Sequence, residues 1–307
     1  MKPQNAKSTI MLTGPKLIRN IDACQLRAGE LAFWWLGQHS FVVKIGATVC
    51  YLDPFLSPFP GRQVPTLLKP DEISNATVVL GSHDHADHID RDAWPGIAAA
   101  SPQAKFMVPA LLREKIVREI GLPAERVVGV DAGISAEVGG ITVSAVPAAH
   151  EFLDTDPATG LHPYLGFVLE SAGITVYHAG DCCLYEGMQA LLRRWTLDLA
   201  FLPINGRDAQ RLAAGCIGNM TYQEAADLAG AIRPRLTVPA HFEMFATNSE
   251  NPQLFVDYMR VKYPALPTLV PRHGERTIPD FAVGMAVPRR PSSPRTGALP
   301  PAAKSGI

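Results

Sequence analysis

"GSHDHADHID", residues 81–90, follows a short apolar run and packs three histidines and two aspartates between His83 and His88. The whole chain has nine histidines in 307 residues, so the cluster is far denser than chance gives. It reads either as a polar loop or as part of a metal site. The preceding "ATVVL" has strand character, which places the cluster where a strand ends. Alternate side chains of an extended segment share one side, so His83 and His85 can face one cation together. Asp87 and His88 fall in the turn that follows and can reach a second cation beside the first. Imidazole nitrogen suits zinc and related metals, and a carboxylate adds charge neutralisation. Four ligands do not hold two cations, so others must come from elsewhere in the chain.

Polar residues that close apolar, β-forming runs supply three candidates. His150 closes "ITVSAVPAAH", Asp181 closes "ITVYHAGD" and His241 closes "RLTVPAH". That placement is what a site built at the ends of several strands requires. The seven divide into His83, His85 and His150 for one cation and Asp87, His88 and His241 for the other, with Asp181 between them.

Composition bounds the alternatives. At 307 residues with 47% hydrophobic side chains, the chain is long enough and apolar enough for a substantial core. Its 28 Lys and Arg against 29 Asp and Glu leave a formal charge of -1, so no general attraction to nucleic acid or to anionic membrane is expected. The first twenty residues have no signal-peptide pattern and no window has the apolar length of a membrane span, so the expected compartment is the cytoplasm. The five cysteines, Cys24, Cys50, Cys182, Cys183 and Cys216, show no C-x-x-C and indicate neither a disulfide framework nor a cysteine zinc site.

"ELAFWWLG", "SFVVKIG" and "TVCYLDPF" are separated by glycine-containing turns and predict an antiparallel meander. "ALLREKIVREIGL" has helical spacing and stops at a glycine. "ERVVGV", "ISAEVGGITVSAVPAAH" and "YLGFVLESAGITVYHAGD" predict further strands and hairpins. Helices are then expected at "EGMQALLRRW", "TYQEAADLAGAI" and "NPQLFVDYMRVKY", and strands at "LDLAFLPI", "RLTVPAH" and "LPTLVPRHG". Mixed strands and helices in both halves suit two packed sheets with helices outside, an open α/β sheet being the alternative. One domain over residues 1–280 is expected, with a loosely ordered Pro/Ser/Ala-rich tail over 281–307.

The order and spacing of these residues resemble the metallo-β-lactamase superfamily. "SHDHADHID" matches its His-x-His-x-Asp-His motif, and His150, Asp181 and His241 stand where its remaining ligands do. "WWLGQHSFVVKIG", "YLDPFLS", "VYHAGDCCLYEG" and "LTVPAHFEMF" are similar to the L-ascorbate-6-phosphate lactonase-like branch. The resemblance implies an α/β fold, a four-layer αβ/βα sandwich, with a dinuclear site of zinc or manganese and a hydrolytic reaction on a small molecule. It is compatible with a homo-oligomer. In that reading Asp87 is both ligand and catalytic residue, orienting a bridging hydroxide. A lactonase opening a sugar-acid lactone, phosphorylated or not, is expected first, a phosphodiesterase second, and a non-enzymatic metal-binding protein is the alternative of another class.

Other polar residues carry two readings each. Asp53 in "YLDPF" can accept the outer N–H of a metal-bound histidine or form an Asx-Pro turn. His39 in "LGQHSF" is either at the mouth of the site, where it binds substrate, or a surface turn residue. Asn205 and Arg207 in "LPINGRD" lie in a loop after a strand, where Arg207 can grip a phosphate or carboxylate or simply be solvated. Arg272 and His273 in "PRHGE" are substrate-binding candidates on the same grounds. His178 is expected in the core or behind the ligands, and Cys182 and Cys183 in packing rather than in a strained vicinal disulfide.

Overall fold

Alternation with a period of two organises the first strand. In Leu31–Gly37, the residues Leu31, Phe33 and Trp35 join one apolar cluster while Ala32, Trp34 and Leu36 join another, so the strand is buried on both faces. The computed structural model describes residues 11–281. The tail expected over 281–307 lies, from residue 282, outside them.

The first sheet contains β1 (Leu31–Gly37), β2 (Ser40–Ile45), β3 (Thr48–Leu52), β4 (Val78–Leu80), β5 (Lys105–Pro109) and β6 (Val127–Val130). The second contains β7 (Ser135–Val138), β8 (Ile141–Pro147), β9 (Leu165–Ser171), β10 (Ile174–His178), β11 (Leu199–Pro203) and β12 (Leu236–Ala240). A two-residue strand, β13 (Arg276–Thr277), adds to the edge of the first, giving the orders β13-β1-β2-β3-β4-β5-β6 and β12-β11-β10-β9-β8-β7. One core lies between the sheets, where Phe33, Phe41 and Leu80 meet Phe167, Val176 and Phe201. Helices α1 (Gly14–Asp22), α2 (Trp94–Ala100) and α3 (Arg113–Ile120) cover the outer face of the first sheet through Leu17, Ile21, Trp94, Ile97 and Ile116. On the second sheet α4 (Met188–Leu192), α6 (Tyr222–Ile232) and α7 (Pro252–Lys262) contribute Met188, Leu228, Phe255 and Met259, whereas α5 (Ala209–Ala213) buries nothing. The result is the αβ/βα sandwich.

Local chemistry sets several of these ends. Gly121 stops α3 in the left-handed conformation. Thr221 and Glu224 form a reciprocal capping box at the start of α6. The strand expected at "LPTLVPRHG" does not form: it makes only two isolated bridges, Thr237 with Thr268 and Trp35 with His273. Pro267 and Pro271 within it cannot donate to a ladder. Helix α1 and strand β5 were not among the expected elements.

Strand direction brings the polar ends together. β3 and β4 are parallel, so Asp53 and His83 leave the first sheet at the same edge. β8 and β10 both pair antiparallel with β9 and therefore run the same way, and β10, β11 and β12 are mutually parallel. His150, Asp181 and His241 accordingly follow strands that end at one edge of the second sheet. Among the described residues no helix is long and apolar enough to cross a membrane.

Candidate metal centre

Seven side chains converge between these strand ends as two groups of ligand atoms, each group compact enough to hold one cation. His83, His85, His150 and Asp181 form the first group, and Asp87, His88 and His241 the second, with the atoms of each within 4.8 Å of one another. In the first, His83 Nε2 lies 2.9 Å from His85 Nδ1, which is 3.4 Å from His150 Nε2. In the second, Asp87 Oδ2 is 3.6 Å from His88 Nε2 and 3.8 Å from His241 Nε2. Asp181 divides its oxygens between them. Its Oδ1 lies 3.3 Å from both His88 Nε2 and His241 Nε2, while Oδ2 lies 4.0 Å from His83 Nε2 and 3.9 Å from His150 Nε2.

Behind this layer Asp53, fully buried, gathers four hydrogen bonds. Its Oδ2 accepts from His88 Nδ1 at 2.7 Å, from Ser82 Oγ at 2.8 Å and from His178 Nε2 at 2.9 Å, and its Oδ1 accepts the Ser82 N–H at 2.8 Å. Committing Nδ1–H of His88 to a carboxylate leaves the lone pair on Nε2, the atom that faces the second group. Ser82 Oγ also lies 3.0 Å from His83 Nδ1, so Asp53 steadies one imidazole of each group, directly or through a hydroxyl. Gly180 lets β10 come this close: a Cβ there would sit 2.6 Å from the Leu165 carbonyl oxygen and 2.9 Å from Ser82 Cβ. Seven described non-glycine residues have left-handed backbone, and Gln38, Asp53 and His241 of the site are among them, the strain expected where function dictates geometry.

Electrostatics fit a cationic guest. Burial pushes His150 down to about 4 and, with the neighbouring His88, holds His83 well below its usual range, so both present neutral imidazole lone pairs at pH 7. Burial alone would raise Asp181, yet His241 and His88 hold its carboxyl well below the ordinary range. Burial likewise opposes charge on His88, but Asp181, Asp87 and Asp53 outweigh it and drive its pKa well above normal. An imidazole that attracts a proton among three carboxylates occupies a place where a cation can substitute for that proton. Two of the facing atoms, His88 Nε2 and Asp181 Oδ1, are buried without a hydrogen-bond partner. Divalent cations in the two groups would satisfy both, and the nitrogen and oxygen donors suit zinc or manganese.

The remaining expected residues are distributed differently. His39 is fully buried beneath the cluster rather than at its mouth: its ring meets His178 edge-on at 4.4 Å and its Nδ1 lies 3.6 Å from Asp181 Oδ1. Burial and the proximity of His178 push its pKa down to about 3. Asn205 is buried with both ends of its amide engaged, donating to Asn248 at 2.7 Å and accepting from Asn219 at 3.1 Å. Arg207 makes the forked pair expected of it, but with Glu224, at 2.6 and 2.7 Å. Arg272 is largely exposed beside Glu275, and His273 donates from Nε2 to the Leu36 carbonyl at 2.8 Å. Cys182 and Cys183 are free buried thiols, and burial pushes Cys182 up to about 12.

Two residues at the site were not singled out from sequence. Ser82 is the link just described. Gln38, fully buried, donates from Nε2 to Asp87 Oδ2 at 3.0 Å. No sequence signal marked Gln38, which stands in a turn between two apolar runs.

A two-sheet αβ/βα sandwich with a His/Asp cluster at the strand ends defines the metallo-hydrolase architecture of the metallo-β-lactamase type. The chain belongs to the β-lactamase superfamily, whose domain model, described as "Beta-lactamase superfamily domain", matches residues 49–242. It is 30% identical over 224 residues to a UPF0173 metal-dependent hydrolase of Pyrobaculum neutrophilum, a match covering 72% of this chain and 88% of that protein. Among solved structures it is similar in fold to Igni18, a metallo hydrolase from Ignicoccus hospitalis, with TM-score 0.65 and 22% identity over 82% of this chain and 99% of that one. It is also similar to CmlA, a diiron β-hydroxylase from Streptomyces venezuelae, with TM-score 0.61 and 17% identity over 82% of this chain and 54% of that one. A hydrolase and a hydroxylase on one architecture show that the reaction must be argued from the site.

Proposed function

We propose that this protein is a dinuclear metal-dependent hydrolase of small molecules whose preferred substrate is a lactone. The carrying observation is the carboxylate of Asp181, whose two oxygens face different groups of ligand atoms. In this reading His83, His85 and His150 hold one cation, Asp87, His88 and His241 hold the other, and Asp181 serves both. When bound, divalent cations lower the pKa of water and polarise a carbonyl oxygen. Asp87 has the part of a proton acceptor. It is the one carboxylate of the cluster that is partly exposed, with about a fifth of its side chain accessible, and it can take a proton and pass it to the departing alkoxide. His83 and His150 keep neutral nitrogen donors in place, and Asp53 fixes the tautomer of His88.

A neutral lactone is favoured over a phosphorylated substrate because Arg207, the cation expected to grip phosphate, is already paired in a fork with Glu224. The choice of a lactone over an open ester rests on the resemblance of the sequences around the site to the lactonase-like branch. The test is turnover of zinc-loaded and manganese-loaded protein on matched lactones, open-chain esters and phosphodiesters. Faster turnover of the lactones is expected. Turnover of phosphodiesters alone would replace this reading with the phosphodiesterase, and cation binding with no turnover of any class would leave a metal-binding protein.

A further inference from the structure

Gln38, outside the seven, meets the second group of ligand atoms with its side-chain amide. Its Nε2 lies 3.0 Å from Asp87 Oδ2 and 3.1 Å from His241 Nε2, the atoms with which both residues face the group. Its backbone is engaged there as well. The Gln38 carbonyl accepts the His241 N–H at 3.0 Å and the indole N–H of Trp35 at 3.1 Å. Trp35 in turn stacks on Phe242, the residue after His241, with ring centroids 4.5 Å apart. The turn between β1 and β2 is thereby fastened to the end of β12 by main chain and to the loop after β4 by side chain.

We propose that Gln38 is a positioning residue for the second cation, acting through the carboxylate of Asp87 by its side chain and through the main chain of His241 by its carbonyl, with the single lone pair of His241 Nε2 left to the cation. This rests on the two-cation reading above. Asp87 and His241 are the ligands of the second group that Asp53 does not hold, so without Gln38 they would have no brace among the contacts described. A carboxylate oxygen has two lone pairs. Donating one N–H to Asp87 Oδ2 fixes the orientation of the carboxyl and leaves the other lone pair free for a cation. The amide suits this task because it is neutral. A lysine would repel the incoming cation, and a glutamate would face Asp87 with like charge. The first group is held differently, through the Ser82 hydroxyl at His83 Nδ1, and its His85 is exposed.

The test is stepwise zinc binding by titration calorimetry, with zinc content measured after gel filtration, on the full chain and on Gln38→Met and Gln38→Glu. Methionine keeps the length and the backbone carbonyl and removes the side-chain amide, its N–H groups together with an oxygen, Oε1, that is buried without a hydrogen-bond partner. For the parent chain two zinc ions are expected. Gln38→Met should weaken the second by roughly 10–100-fold, as loss of an outer partner does, and leave the first within about threefold. Gln38→Glu should weaken the second at least as much. The inference is overturned if Gln38→Met binds both ions as the parent does, or weakens both equally. It is also overturned if Gln38→Glu binds the second ion more tightly than the parent, which would make residue 38 an oxygen ligand. A parent chain that binds fewer than two ions sinks the two-cation reading itself, and this inference with it. The thermal midpoint of each metal-free variant separates a local loss of zinc from failure to fold.

Discussion

The two groups of ligand atoms share Asp181 but are built on different chemistry. The first offers three imidazoles, one of them exposed, and no carboxylate besides the shared one. The second adds a carboxylate of its own, Asp87, and its members are braced from outside, His88 by Asp53 and Asp87 by Gln38. Imidazoles in the first can hold a cation because burial keeps His83 and His150 neutral. In the second, three converging carboxylates raise His88 instead. A cation there must displace a proton but gains more opposite charge. The first group is thus prepared by desolvation and the second by charge and hydrogen bonding.

The largest effect is expected where the groups meet. Asp181→Ala should lose both cations and reduce turnover to that of the chelator-treated protein, read as metal content and as rate. Retention of one full equivalent would show that Asp181 serves a single group. Separate changes then test the division. His85→Ala should lose the cation of the first group and keep that of the second, and His88→Ala the reverse, as cobalt substitution and absorption spectra would report. If either variant loses both ions together, the groups form one cooperative unit and the comparison breaks.

Asp53 comes next, because it reaches both groups unequally. Asp53→Asn should weaken the second cation by about 10–100-fold through His88, and the first by less, through Ser82 and His83. Burial would raise the Asp53 carboxyl, but His88 and His178 hold it well below the carboxylate range, so it is a charge paired inside the protein. Asp53→Ala should therefore also cost about 3–5 kcal/mol of stability, visible as a lower denaturant midpoint of the metal-free chain. Equal weakening of both cations would mean that the hydroxyl of Ser82 transmits as much as the direct bond.

What could be read in advance follows the same division. The cluster from His83 to His88 lies within six residues, and His150, Asp181 and His241 each follow a buried run, so strand ends point to them. Apolar runs separated by glycine-containing turns likewise announced the meander. Gln38 was not legible, because its partner His241 is 203 positions away and a glutamine in a turn carries no signal of its own. His39 was misplaced for a related reason: a turn residue looks exposed until the second sheet is packed over it. Arg207 had the right geometry with the wrong partner, since Thr221 and Glu224 announce a helix start without showing that Glu224 also reaches back to the loop.

The smallest effect is expected outside both groups, at Arg207. Its side chain is 43% exposed and forked to Glu224, while Glu224 is independently held by the Thr221 N–H at 2.8 Å. Arg207→Ala removes an exposed ion pair, and such pairs contribute about 0–1 kcal/mol. The capping box survives it. Turnover of a neutral lactone should therefore change by less than about threefold, and both cations should remain bound. A phosphorylated analogue provides the sharper half of the experiment. If Arg207→Ala raises its KM tenfold or more while the neutral lactone is untouched, then Glu224 releases the guanidinium when an anion arrives, and the substrate is held from this loop. If both substrates respond alike and little, recognition depends on the cluster and its rim, and the asymmetry between the two groups orients the ring.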